Sequence, residues 1–134
     1  MVVQADGHEC PCGQRGCWER YASGVGLYQL AGGVSGEVVI DRARAGEVAS
    51  LKALDEFCTW VALGLANIAN MSDPDTIVVG GGVMENAYIL MPRIQERFAT
   101  MLYAPSHRVH PVLKSAQLGE RAGAIGAALL HLHD

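Results

Sequence analysis

Three features of this sequence predict an α/β fold. From Glu47 to Asn70 the apolar residues Leu54, Phe57, Cys58, Val61, Leu65 and Ile68 recur three or four positions apart, the spacing of one buried face on a long helix. Thr76 to Val79 is a short, mostly β-branched run, introduced by the turn residues Asp73 and Pro74 and closed by Gly80, Gly81 and Gly82. It reads as a buried strand ending in a glycine turn. A helical segment and a second strand-like run follow, and helices alternating with strands define the class.

The remaining elements follow in chain order. "MVVQ" is a short apolar entry to a loop rich in glycine and cysteine. "CWERYASGVGLYQLA" has helical composition interrupted by Ser23, Gly24 and Gly26, so two short helices meeting near Gly24 are expected. Ser35 can cap a helix over "EVVIDRARA" that stops at Gly46, the residue type favoured just past a helix end. "MENAYILMPRIQERFATML" is helical, but Pro92 lacks an N–H and is best placed near a helix start, which predicts an irregular approach over Ala87 to Met91. "HRVHPVLKS" is the second strand, displaced toward an edge by Pro111. "GERAGAIGAALLHLH" ends the chain as a helix whose Gly123, Gly126, Ala127 and Ala128 permit close packing on a neighbouring backbone. There is no internal repeat and no low-complexity segment.

Length and composition bound the function. The 134 residues suffice for one compact domain or a piece of a larger one. Half are hydrophobic, 18% are charged and the net charge is -4, which excludes a disordered chain and argues against a general nucleic-acid or membrane binder. No basic stretch followed by an apolar run opens the sequence, and no window reaches the ~18 apolar residues of a membrane span. A cytoplasmic protein is expected, and in a reducing compartment clustered cysteines serve as metal ligands more often than as disulfide partners.

The chemistry concentrates in "CPCGQRGCWE". Cys10 and Cys12 share one tight turn, and Cys17 follows glycines that let the chain fold back, as tetrahedral zinc coordination requires; the competing reading is a set of thiols without metal. Three thiolates are one short of a closed structural site. His8 is the local candidate for the fourth, although a His and two Cys within five positions strain to occupy three corners of one tetrahedron. Cys58, on the apolar face of the long helix, reads as core. Glu19 reads either as a helix-start acid favoured by the dipole or as a carboxylate accepting hydrogen bonds from a ligand's hydroxyls. Gly80, Gly81 and Gly82 either let a nucleotide approach the backbone or form a plain tight turn; no Gly-Lys-Ser or Gly-Lys-Thr follows, so this is no Walker-type loop. Asp55, Asp73 and Asp75 are the remaining acids that could serve as a catalytic base; Asp73 and Asp75 flank Pro74 where Asp serves local backbone bonding. His107, His110, His131 and His133 show no ligand spacing.

"GHECPCGQRGCWERYASG" resembles the zinc motif of the ROK family (repressors, open reading frames and kinases), most of all that of its glucokinases. "LGLANIANMSDPDTIVVGGGV" resembles the family's nucleotide-side helix, strand and glycine turn, and "GERAGAIGAALL" its C-terminal helix. The resemblance implies the C-terminal portion of an actin-like ATPase fold, with a zinc loop and sugar-side helix over about 8–24 and a nucleotide-side α/β part over about 47–134. It implies structural zinc on Cys10, Cys12 and Cys17, sugar hydroxyls on Glu19, and nucleotide contacts at Gly80, Gly81 and Gly82. In the family the fourth zinc ligand is a histidine ten residues before the first motif cysteine. Counted from Cys10 it falls before Met1, so Met1 is expected to be an internal residue of a longer protein.

The implied activity is ATP- and magnesium-dependent phosphorylation of glucose or a related hexose, in a homo-oligomer. The family's catalytic aspartate precedes the motif, so no catalytic residue is assigned in this chain, and the chain alone is expected to be inactive. Two rivals remain open at this stage: the sugar-sensing part of a ROK transcriptional regulator, and a stand-alone zinc-stabilised interaction module.

Overall fold

A layer of helices packs around one long central helix and against a two-stranded parallel sheet. The computed structural model describes residues 1–130. Its regular elements are α1 (Gly24–Leu30), α2 (Gly36–Arg44), α3 (Val48–Ser72), β1 (Thr76–Val79), α4 (Ala87–Met101), β2 (Val112–Ser115) and α5 (Ala122–Leu129). Single 3-10 turns stand at Trp18–Arg20, Gly82–Asn86, Pro105–His107 and Gly119–Arg121.

α3 organises the molecule because its apolar face is continuous. Leu54, Phe57, Cys58, Val61 and Leu65 are buried as the spacing predicts, and α4, α2 and α1 all pack against this helix. Leu27, Leu54, Leu90 and Ile94 are fully enclosed. Burying a side chain of this size is worth roughly 1.5–3 kcal/mol, so this cluster dominates the stability of the helical layer. Ile68, expected on the same face, is instead 37% exposed, because the buried face continues through Leu65, Ala66 and Ala69 and leaves Ile68 at its edge. α3 stops at Asp73, which adopts the left-handed conformation, and Arg108 pairs with its carboxylate.

The short helices begin and end at the residues the sequence marks. The Ser23 hydroxyl accepts from the Gly26 N–H at 3.3 Å and starts α1. Ser35 occupies the N-cap of α2, although its side chain makes no capping bond, and Gly46 follows with φ +86°. The segment before α1 is a 3-10 turn rather than a first helix, so the expected pair of helices near Gly24 is a turn and a helix.

α4 departs from expectation in another way. Ala87 to Met91 is regular helix, with Pro92 inside it. The irregularity falls one turn earlier, at Gly82–Asn86, where Gly81 at φ +108° forces the chain out of extended conformation. Leu90 and Met91 are buried, and their burial outweighs the single backbone bond Pro92 cannot make to the Tyr88 carbonyl. α4 is tied to α3 through Asp55, which meets both Arg93 and Arg97 at 3.2 Å. These contacts give Asp55 a structural role.

β1 and β2 pair in parallel, with Thr76 opposite Val112 and Val79 opposite Ser115. β1 is not a buried strand: Val78 is 62% exposed, since one partner strand and one helical layer cover only part of it. β2 starts directly after Pro111, as the missing N–H requires. α5 buries none of its residues, and a Cβ built at Gly123 or Gly126 meets nothing within 4 Å, so the close packing those glycines permit is not made among the described residues. His131 and His133 lie outside the described residues.

Candidate functional site

The cysteine loop is built from backbone rather than from a core. Isolated antiparallel bridges join Val2 to Cys17 and Glu9 to Arg15. The Gly16 N–H donates to the His8 carbonyl at 2.8 Å while the Gly16 carbonyl accepts from Val3, also at 2.8 Å. Gly16 has φ +70°, and a Cβ there would stand 1.6 Å from the Gln4 carbonyl oxygen, so no other residue fits. At the tip, the Gly13 N–H closes a turn on the Cys10 carbonyl and Cys10 donates to Gln14.

This turn brings the sulfurs of Cys10, Cys12 and Cys17 within 4.8 Å of one another, with 3.5 Å between Cys12 Sγ and Cys17 Sγ. Zn–S bonds of ~2.3 Å at tetrahedral angles place two thiolates about 3.8 Å apart, so the three side chains suit three corners of a zinc site. The backbone of Gln14 hydrogen-bonds to Cys12 and lowers its thiol pKa, helped by the Cys10 and Cys17 side chains. Cys17 is pushed up to about 11 by its hydrogen bonds to Cys12 and Cys10. Cys12 is therefore more readily deprotonated than Cys17. His8 does not join the cluster; its ring lies against Tyr21 at 5.0 Å, and its backbone N–H donates to the Tyr21 hydroxyl at 2.8 Å. Cys58 is core, its thiol pushed up to about 11 by burial.

Cys17 is also the residue from which the Trp18–Arg20 turn starts, so the cysteine loop leads directly into Glu19. Glu19 is exposed and has no hydrogen-bond or ion-pair partner among the described residues. Glu19 is thus available to a ligand, and a turn of three residues leaves little helix dipole for it to complement.

The glycine turn closes the other side. A cleft of about 360 Å³ is lined by Trp18, Ser23 and Gly24, by Gly80, Gly81, Gly82 and Val83, and by Phe57 and Val61 of α3. Gly81 has φ +108°, a conformation that favours glycine, and a Cβ at Gly80 would make a tight 3.2 Å contact with the Ala116 Cβ. A neighbouring cleft of about 420 Å³ runs from Gly82 and Val83 past Glu85 and Asn86 to Ser35, Gly36 and Glu37. Sequence reasoning missed Ser35, Gly36 and Glu37 as cleft residues; they read only as a loop and cap, since nothing local shows that α2 starts beside the glycine turn.

A strand, a glycine turn and a turn that starts from the cysteine cluster, set around one cleft, form the C-terminal half of an actin-like ATPase fold of the sugar-kinase type. The structure of a ROK family glucokinase from Streptomyces griseus in complex with glucose and AMPPNP superposes with a TM-score of 0.90 at 32% identity, over 97% of this chain and 49% of that one. The ROK family model matches residues 1–134, and the chain belongs to the ROK family. A glucokinase of Streptomyces coelicolor is 30% identical over 92% of this chain and 46% of its own length. An N-acetyl-D-glucosamine kinase of Pectobacterium atrosepticum is 34% identical over 94% and 42%. A xylose repressor of Bacillus spizizenii is 31% identical over 94% and 34%. The chain thus spans half or less of the length of the relatives it matches. Among the described residues, no helix is long and apolar enough to cross a membrane.

Proposed function

We propose that this chain is the C-terminal part of an ATP-dependent hexose kinase, with glucose as its sugar. The observation that carries this reading is that Trp18, the residue between Cys17 and Glu19, lines the same cleft as Gly80, Gly81 and Gly82, which are distant in sequence. Glu19 holds sugar hydroxyls, its two carboxylate oxygens accepting from adjacent O–H groups. Gly80, Gly81 and Gly82 let the nucleotide lie close to the backbone. The fitting metal is zinc; when bound by Cys10, Cys12 and Cys17 it supplies rigidity to the start of the Glu19 turn. Phosphoryl transfer in such a site depends on positioning and on charge neutralisation by magnesium, with a carboxylate base on the attacking hydroxyl. No acid of this chain is given the base role: Asp55 is engaged by two arginines, and Asp73 is paired with Arg108 at a helix end.

The xylose repressor relative supports a second reading, a sugar-sensing regulator that binds sugar without transferring phosphate. A coupled assay with ATP, magnesium and glucose separates the two. The complete gene product should release ADP in a glucose-dependent way, and this chain alone should be slower by a factor of at least about 100 to 10,000, the usual contribution of a general base. Sugar binding without ADP release from the complete protein would favour the regulator.

A further inference from the structure

We propose that Trp18 is a positioning residue that keeps Glu19 in register with the glycine turn; this rests on the kinase reading above. Trp18 stands between Cys17 and Glu19, and its indole ring fills a notch in α3. A Cβ built at Gly64 would lie 2.0 Å from ring atom Cε2 and 2.3 Å from Nε1, so any larger residue at that position displaces the ring. Glycine inside a helix is unfavourable relative to alanine, and the ring accounts for its presence in the middle of α3. The indole Nε1–H donates to the Trp60 carbonyl at 2.7 Å, one helical turn before Gly64. The notch fixes the ring across the helix and the hydrogen bond fixes it along the axis.

A second grip lies three residues on. Tyr21 is 6% exposed, and its ring packs 4.5 Å from that of Trp60, so the turn carrying Glu19 meets α3 at two points on the same helical turn. Trp18 also lines the cleft that Gly80, Gly81 and Gly82 line, together with Phe57 and Val61. The side chain next to Glu19 is thus both anchored on α3 and part of the cleft that the glycine turn lines. Reaction between two bound substrates is sensitive to such spacing, a misplacement of ~1 Å costing as much as ~100-fold in rate.

The test uses the complete gene product, assayed with glucose and magnesium-ATP, in Gly64→Ala, Trp18→Phe and the double variant. Gly64→Ala should lower kcat by about 10- to 100-fold, with both KM values within about 2-fold of wild type and zinc content unchanged. Trp18→Phe, which keeps a ring but loses the N–H, should lower kcat by about 3-fold or more. The smaller phenylalanine leaves room for the alanine methyl, so the double variant should recover part of the kcat lost in Gly64→Ala. A lower melting temperature with unchanged kcat in the folded variants would overturn the proposal, as would raised KM values with kcat preserved. If Gly64→Ala does not fold, Trp18→Phe decides on the same criteria. A wild-type protein with no glucose-dependent ADP release would overturn the kinase reading, a result distinct from an active wild type whose variants are unaffected.

Discussion

The cysteine loop and the helical body are held together by different physics. In the body, Leu27, Leu54, Leu90 and Ile94 are sealed from solvent, and α3 presents a periodic apolar face to three other helices. In residues 1–17 no apolar side chain is buried; backbone bonds, two left-handed glycines and three converging thiols hold the shape. The body is stabilised by area removed from water and tolerates exchange of its polar surface. The loop is stabilised by a few directional contacts and by what its thiols bind, so small chemical changes act on it strongly and locally.

The widest separation between the two regions comes from a core truncation. Leu54→Ala should destabilise the whole chain by about 2–5 kcal/mol, read by chemical denaturation, while the protein that remains folded keeps its zinc stoichiometry. Loss of zinc in the folded fraction would mean that the loop is not independent of the core.

Cys17→Ser inverts the test. The wild-type chain should hold about one zinc, and the variant should lose it to a competing chelator at least about 100-fold more readily, with helical circular dichroism unchanged. Equal zinc in the two proteins would remove the metal assignment.

A smaller effect distinguishes the thiols by pH. Burial raises Cys58 to about 11 from the usual 9.0 of a thiol, so the folded protein retains a proton that the unfolded chain releases. Between those values the native state binds more protons, and stability should fall as pH rises from about 9 toward 11. Cys58→Ala should flatten that decline in a pH series of denaturation curves; an identical slope would show that Cys58 does not contribute to it.

The same division explains what was legible in the sequence. Periodicity located α3, and β-branching with flanking turn residues bounded β1, because these signals are local and repeat. The cysteine spacing pointed to a cluster, and the three sulfurs do converge, because thiols on one glycine-rich turn have few other places to go. Exposure was misjudged at Val78 and Ile68, since burial depends on how many neighbours an element acquires, which no local pattern states. Pro92 misled because the backbone distortion is imposed by Gly81, outside the helix. The role of Trp18 was hidden for a further reason: its partner, Gly64, lies 46 positions away and looks like a flaw in a helix until the ring is seen in the notch.

The most direct test of the site is Glu19→Gln in the complete gene product, with Michaelis constants for glucose and ATP measured together with a melting curve. Charge-assisted hydrogen bonds contribute roughly 1.5–3 kcal/mol each, and the amide replaces one accepting oxygen with a donor. If Glu19 holds the sugar, kcat/KM for glucose should fall by at least ~10-fold while the KM for ATP stays within about 2-fold. Unchanged glucose kinetics, with at most a small loss of thermal stability, would contradict the account and leave Glu19 as an ordinary residue of a 3-10 turn.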